Sequence, residues 1–365
     1  MSIDSVIFRV DSSWQIGSGH LMRCLTLATG LKQAGTECTF ISRALVGNLN
    51  YLITDGGFTL VELPKSKAPI EKPGEREPFH SNWREADWET DASETLKVAS
   101  NRKVDWLIVD HYGLWEKWHA RVRDFASKIM VIDDLGDRKH DCDFLLDQNL
   151  GSDLGLYQSL IPKACRSFFG PQYALLRSEF LDRRDASLQR RHEGKINHIL
   201  LSFGGGDPLD YIGKTLLALL NVNMPNHITI SIIFGSLAAM TFEHRRLISK
   251  ISVKVKTYGA VTNMAEILTS CDLVIGAAGG SSWERCCLGV PSIVFPIALN
   301  QVSIAKSLAS AGVSKVLSDQ DLVNGKLESV ISGMFQGKDL RIMSLKASSI
   351  CDGTGVEKII GELIA

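Results

Sequence analysis

One histidine stands at the mouth of a bare loop early in the chain, in DSSWQIGSGHLMRCLTLA (residues 11–28). The apolar run SVIFRVD (5–11) before it reads as a strand. Leu21, Cys24, Leu25, Ala28 and Leu31 recur at helical spacing after it. A parallel strand delivers its C-terminal end to a ligand crevice, which makes Asp11, Gly17, Gly19 and His20 candidate binding residues. The two glycines let backbone come close to a ligand, and a helix N-terminus attracts anions. The positive end of the helix dipole disfavours a second positive charge, so a neutral His20 is a candidate general base. The competing reading is a histidine that only caps or packs. GxGH is not the dinucleotide fingerprint, because Met22 stands where the third glycine belongs.

Other chemistry-bearing residues gather at further strand ends. IVDHYG (108–113) clusters Asp110, His111 and Tyr112. Tyr112 is placed to hydrogen-bond a sugar and Asp110 to orient a histidine or a water; a strand-ending Asp with ordinary neighbours is the alternative. Asp133 and Asp134 in VIDDLGDRKHDCDFLLDQN (131–149) read more simply as caps of solvated loops. The Asp, His and Cys of that stretch lack metal-ligand spacing, and no metal site is expected. LSFGGGDP (201–208) sets Gly204 and Gly205 between a strand and a helix, where backbone N–H groups can take a diphosphate or simply make a tight turn. GAAGGSSWERCCLGVPSIVFPIALNQ (276–301) is the strongest feature. Gly279, Gly280, Ser281 and Ser282 offer backbone and hydroxyl donors to phosphate. Glu284 can accept both hydroxyls of a ribose or merely complement the helix dipole. Asn300 and Gln301 put two amides at the end of the next strand.

The elements that must position these residues alternate strand with helix, the pattern of a parallel sheet covered on both faces. In the first half the strands are 5–11, 37–43, 104–110, 129–135 and 143–148. In the second they are 198–205, 227–235, 253–258, 272–278 and 291–297. A charged, proline-bearing loop with a helical back half (62–100) interrupts the first set. The polar stretch 178–196 reads as a linker with solvated charges. The expected organisation is therefore an α/β protein of two Rossmann-like domains facing across a cleft, 1–177 and 197–365, joined by 178–196. The chain's 365 residues are too many for one typical core.

Composition excludes several classes. Forty basic against 41 acidic side chains leave a formal charge of −1, so nothing global attracts nucleic acid or an anionic membrane. No apolar run reaches the length of a membrane span, and LVGNLNYLI (45–53) is only a weak membrane-docking candidate. The start of the sequence does not read as a secretion signal. Eight scattered cysteines without a CxxC pair suit free thiols and a cytoplasmic protein. A small-molecule partner is expected, with no nucleic acid and no membrane; the oligomeric state is open, a monomer included.

Taken together, FRVDSSWQIGSGHLMRCLTLA, LIVDHYG, LSFGGGDP and GGSSWERCCLGVPSIVFPIALNQ resemble the UDP-sugar hydrolases of pseudaminic acid biosynthesis, the PseG family, within the glycosyltransferase-B/MurG-like superfamily. The resemblance runs from about residue 5 to about residue 315. It implies a metal-free, cofactor-free hydrolase that releases UDP from UDP-2,4-diacetamido-2,4,6-trideoxy-β-L-altrose with inversion at the anomeric carbon. It assigns His20 as base toward water, and Tyr112 and Asn300 as further catalytic residues. A MurG-like transferase using a UDP-sugar donor is the alternative, and a non-catalytic nucleotide-sugar binder is a third. The segment 62–100 and the residues beyond 320 lie outside the quoted motifs.

Overall fold

The structure is a computed structural model that describes residues 3–65, 78–98, 103–207, 209–235, 239–336 and 339–365. The chain forms two compact units, Met1–Leu175 with Thr354–Ala365, and Leu176–Gly353.

The first unit is built on seven strands: β1 (Ser5–Val10), β2 (Glu37–Arg43), β3 (Thr59–Leu63), β4 (Val104–Asp110), β5 (Ala126–Ile132), β6 (Phe144–Asp147) and β7 (Arg166–Phe169). Their order is β3-β2-β1-β4-β5-β6-β7, with every pairing parallel. Inner strands of such a sheet are covered on both faces and read as continuous apolar runs. Accordingly Phe8, Phe40 and Ile108 enter one core and Ile41, Leu107 and Ile129 the other. The second unit carries β8 (His198–Ser202), β9 (Thr229–Ile233), β10 (Lys254–Tyr258), β11 (Leu273–Ala277), β12 (Ser292–Phe295) and β13 (Ser314–Val316). Their order is β10-β9-β8-β11-β12-β13, again all parallel. The strands absent from the sequence reading, β3, β7 and β13, are short and lie at sheet edges, where burial is incomplete and the apolar signal weak.

Two expected boundaries need correction. The last helix, Gly355–Ile364, does not complete the second unit. Its Val356, Ile359 and Leu363 join the core of the first, against the Gly19–Gln33 helix. Gly30 allows that approach: a Cβ there would lie 2.7 Å from Ile360 Cδ1 and 2.8 Å from Val356 Cγ1. Residues 178–196 are not a solvated linker either. They hold two short helices, Ser178–Asp182 and Arg184–Arg190, and a 3-10 turn at Arg191–Glu193. Arg191 is buried and donates to the carbonyls of Leu268 (2.6 Å) and Cys271 (2.5 Å), while Arg184 reaches the carbonyls of Cys287, Ser348 and Cys351. Carbonyls at helix C-termini lack intrahelical partners and carry partial negative charge. These arginines satisfy them and fasten the segment to the second unit. Of the stretch 62–100, the helical back half is Trp88–Val98, and residues 66–77 lie outside the described residues.

Candidate functional site

In each sheet the strand order reverses once, between β1 and β4 and between β8 and β11. Loops leaving two such neighbours diverge to opposite sides and open a crevice at the strand ends. Most sequence-predicted residues follow these strands: Gly17, Gly19, His20 and Tyr112 in the first unit, and Gly204, Gly205, Gly279, Gly280, Ser281, Ser282 and Glu284 in the second, while Asn300 and Gln301 follow β12.

In the first unit the loop after β1 turns through Gly17, whose φ of +80° only glycine adopts easily. It then enters the Gly19–Gln33 helix, whose first turn has no acidic residue and whose N-cap Ser18 makes no side-chain cap bond. Gly19 has no protein atom within 4 Å of an added Cβ, so the chain's own packing does not demand a glycine there. His20, 7% exposed, sits in the first turn. Asp110 ends β4. Its Oδ1 lies 2.6 Å from His20 Nδ1, and Arg23 grips the same carboxylate with Nε on Oδ2 (2.6 Å) and Nη2 on Oδ1 (2.6 Å). Two-pronged charge-assisted bonds of this kind are strong and directional. Burial alone would raise the Asp110 carboxyl, but the Arg23 guanidinium and the hydrogen bonds from Arg23 and His20 outweigh it and hold the group well below the usual carboxylate range. An ionised carboxylate only accepts hydrogen bonds. His20 must therefore donate Nδ1–H to it, which leaves Nε2 as the basic nitrogen, with no hydrogen-bond partner among the described residues.

Tyr112 follows two residues after Asp110. Its ring meets His20 edge to face at 4.5 Å, and its hydroxyl donates to Asp134 Oδ2 (2.7 Å), which also accepts from Arg23 Nη1 (2.7 Å). Burial pushes the Tyr112 phenol well up, so it stays protonated. Asp134 is thus part of this network rather than the cap of a solvated loop. The β-strand and helix periods supply the missing signal for Arg23: three residues after His20, it shares the same helix face.

Asp11 is corrected. It is wholly buried and faces into the unit, not the crevice. Side chains two apart on an extended strand point the same way, so Asp11 lies beside Arg9, which donates to both its oxygens (2.5 and 3.0 Å). The Arg43 N–H (2.7 Å) and His111 Nε2 (3.2 Å) complete its surroundings. Arg9 also pairs with Asp91, as does Arg43. This buried ion cluster ties β1, β2 and the Trp88–Val98 helix together. Its members, His111 included, are structural.

In the second unit Gly204 turns with φ +91° after β8. The Tyr211–Leu219 helix that follows does not offer its N-terminus to an anion, because Asp207 already accepts from the N–H groups of Tyr211 (2.8 Å) and Ile212 (2.7 Å). Gly204 and Gly205 contribute only their loop backbone. After β11, Gly279 and Gly280 lead into the Ser281–Cys287 helix. Ser282 is corrected: it is buried, its hydroxyl accepts from Arg285 Nη2 (2.9 Å), and its N–H donates to Gly279 O. Ser281 accepts from Arg285 Nη1 (3.0 Å) and remains half-exposed. Gln301 Oε1 accepts from Ile297 N–H (3.1 Å), which turns its amide nitrogen toward Gly279. Asn300 is the N-cap of the Gln301–Ser310 helix but makes no side-chain cap bond. Glu284 is half-buried with no hydrogen-bond partner among the described residues, and burial pushes its carboxyl up to about 7 against the pull of Arg177 and Arg285. A group in that state is short of donors.

Residues 200–359 match the Glycosyltransferase family 28 C-terminal domain. An uncharacterized protein of Methanocaldococcus jannaschii is 26% identical over 289 residues, 78% of this chain and 54% of that protein, so the match spans about half of that relative's length. The UDP-2,4-diacetamido-2,4,6-trideoxy-beta-L-altropyranose hydrolase of Campylobacter jejuni is 24% identical over 308 residues, 84% of this chain and 97% of that one. The crystal structure of MurG from Acinetobacter baumannii aligns over 99% of both chains with a TM-score of 0.68 and 14% identity. The two parallel-sheet α/β units are those of the glycosyltransferase-B fold class.

Proposed function

We propose that this protein hydrolyses a UDP-sugar, releasing UDP, with His20 Nε2 as the base that takes a proton from water as it attacks the anomeric carbon. The observation that carries this reading is the chain Arg23–Asp110–His20. A buried anion, itself fixed by an arginine, sets the imidazole tautomer and leaves one nitrogen unspent at the strand ends. This is how a base is oriented and its protonated form stabilised. Tyr112 holds the ring edge-on, and its hydroxyl oxygen keeps acceptor capacity toward a sugar hydroxyl. Glu284 takes the ribose hydroxyls it lacks as donors. Gly279, Gly280, Ser281 and the loop backbone of Gly204 and Gly205 meet diphosphate oxygens, with the Gln301 amide beside them and Asn300 toward the sugar or the water. Diphosphate is a good leaving group. Oriented donors that stabilise its developing charge are worth roughly 10²–10³ in rate each, and the base another roughly 10²–10⁴. Attack opposite the departing UDP inverts the anomeric centre. The likeness to the Campylobacter hydrolase along 84% of this chain supports the reading and suggests a 2,4-diacetamido-2,4,6-trideoxyhexose as the sugar.

A second reading has its own support. The family 28 match and the MurG-like fold suit transfer of the sugar to an acceptor hydroxyl, with His20 deprotonating that hydroxyl instead. The test is incubation with UDP-sugar alone in ¹⁸O water, followed by mass spectrometry. One heavy oxygen in the free sugar and none in UDP supports hydrolysis. No UDP release until an acceptor alcohol is added supports transfer.

A further inference from the structure

The stretch 62–100 belongs to none of the recognised motifs, yet its described end at residues 78–84 is seated on the proposed base. The Ser81–Arg84 turn stacks the Trp83 indole on Tyr112, with centroids 5.1 Å apart and planes 27° from parallel. Trp83 also meets His20 edge to face at 6.0 Å. The His80 ring lies 4.5 Å from Trp83 and 5.5 Å from Tyr112. Two features show that this position is built in. Arg84 is buried, with Nε on the Ser81 carbonyl (3.0 Å) and its guanidinium over the Trp115 ring (5.0 Å). Gly113 has no room for a side chain, since a Cβ would come within 2.9 Å of His80 O and 3.1 Å of Arg84 Cγ.

The same residues are not sealed away. Trp83 and His80 are half-exposed, the Trp83 indole N–H has no hydrogen-bond partner among the described residues, and neighbouring Phe79 is 72% exposed. Burial pushes the His80 imidazole down, which favours its neutral form. Beside the base, then, lies an uncharged aromatic surface. Such a surface takes C–H bonds and methyl groups, while an indole N–H usually seeks one acceptor. A sugar hydroxyl pressed on the ring faces, away from that N–H, would lose water without gaining a partner.

We propose that Trp83 and His80 form the aromatic wall of the sugar subsite and determine its specificity, favouring N-acylated deoxy sugars, whose methyl groups lie against the rings, over sugars hydroxylated at the same carbon. This rests on the UDP-sugar reading above. Hydrophobic pockets discriminate by roughly 10–200-fold per such group, which sets the expected scale. The experiment is calorimetry and turnover with UDP, a UDP-2,4-diacetamido-2,4,6-trideoxyhexose and UDP-N-acetylglucosamine, on wild type, Trp83→Ala and Trp83→Phe. Wild type should bind the deoxy UDP-sugar more tightly than UDP. Trp83→Ala should lose roughly tenfold or more of that sugar-dependent increment and of the preference over UDP-N-acetylglucosamine. UDP affinity should hold within about twofold, and Trp83→Phe should recover most of the loss. The wall is overturned if Trp83→Ala keeps the increment, or if UDP affinity falls in step. A wild type that binds the deoxy UDP-sugar without cleaving it overturns the hydrolase reading alone. A wild type with no sugar-dependent increment overturns both.

Discussion

Replacing Asp110 by asparagine keeps the shape of the side chain and removes its charge. Three donors converge on this carboxylate at 2.6 Å: His20 Nδ1, Arg23 Nε and Arg23 Nη2. An amide offers one accepting oxygen and one donating nitrogen, so whichever way it lies, at least one of those contacts becomes donor against donor. In either orientation the imidazolium formed during catalysis loses a buried anion. With charge centres about 4 Å apart and an effective dielectric of about 20, that attraction is about 4 kcal/mol. It corresponds to roughly 10³ in rate, reduced toward 10² because Arg23 shares the carboxylate. Turnover of Asp110→Asn should therefore fall by roughly 10²–10³, measured as UDP release by chromatography, with UDP affinity by calorimetry unchanged. Thermal unfolding verifies that the variant is folded. A folded variant turning over within about threefold of wild type would refute the orientation argument, since no base effect of the usual size could then run through this carboxylate. The pH dependence has a definite sign. The Asp110 carboxyl is depressed in the folded state, so its stabilising contribution is complete above the ordinary carboxylate value and is lost as pH falls below it. The stability gap between wild type and Asp110→Asn should shrink between about pH 4 and pH 2.

Three further outcomes follow from other parts of the molecule. His20→Ala should lose roughly 10²–10⁴ in turnover while binding UDP normally; a parallel collapse of UDP affinity would make the histidine a ligand contact or a packing residue. On the proposed ribose role Glu284, with its carboxyl near 7, binds as the carboxylate, so UDP affinity should weaken as pH falls from 8 to 6 in calorimetry, and Glu284→Gln should leave only the dependence that comes from UDP's own terminal phosphate. Gly30→Ala gains about 1 kcal/mol of helix propensity but drives a methyl into Ile360 and Val356, and overpacking costs about 1–3 kcal/mol. Net destabilisation in thermal melts is expected, and a more stable variant would contradict the docking of the last helix.

What the sequence disclosed depended on whether a signal was local. Inner strands such as β4 and β11 carry continuous apolar stretches, residues 106–109 and Leu273–Ala277, and the glycine turns after β1, β8 and β11 announce themselves by composition. Edge strands such as Ser314–Val316 carry too little burial to leave a pattern. His20 and Glu284 stand out as candidates because they flank those turns, and Tyr112 because it follows the end of β4. Asp11 was misjudged because a strand-ending carboxylate looks the same whether it faces a crevice or a buried arginine; only Arg9, two residues back, hints at the difference. Asp134 and Trp83 were beyond reach by pattern alone, since they meet Tyr112 from 22 and 29 positions away in the chain. The expected aspartate partner of the histidine did emerge, as Asp110.

The return of Val356, Ile359 and Leu363 to the core of the first unit bears on biosynthesis. A nascent chain that has emerged as far as Leu175 still lacks the lid of its own hydrophobic interior, and roughly 180 residues of an unrelated sheet must leave the ribosome before that lid arrives. The first unit must therefore wait, partly uncovered, for residues 354–365. A truncation that spares every residue near His20 should nonetheless leave that unit prone to aggregation.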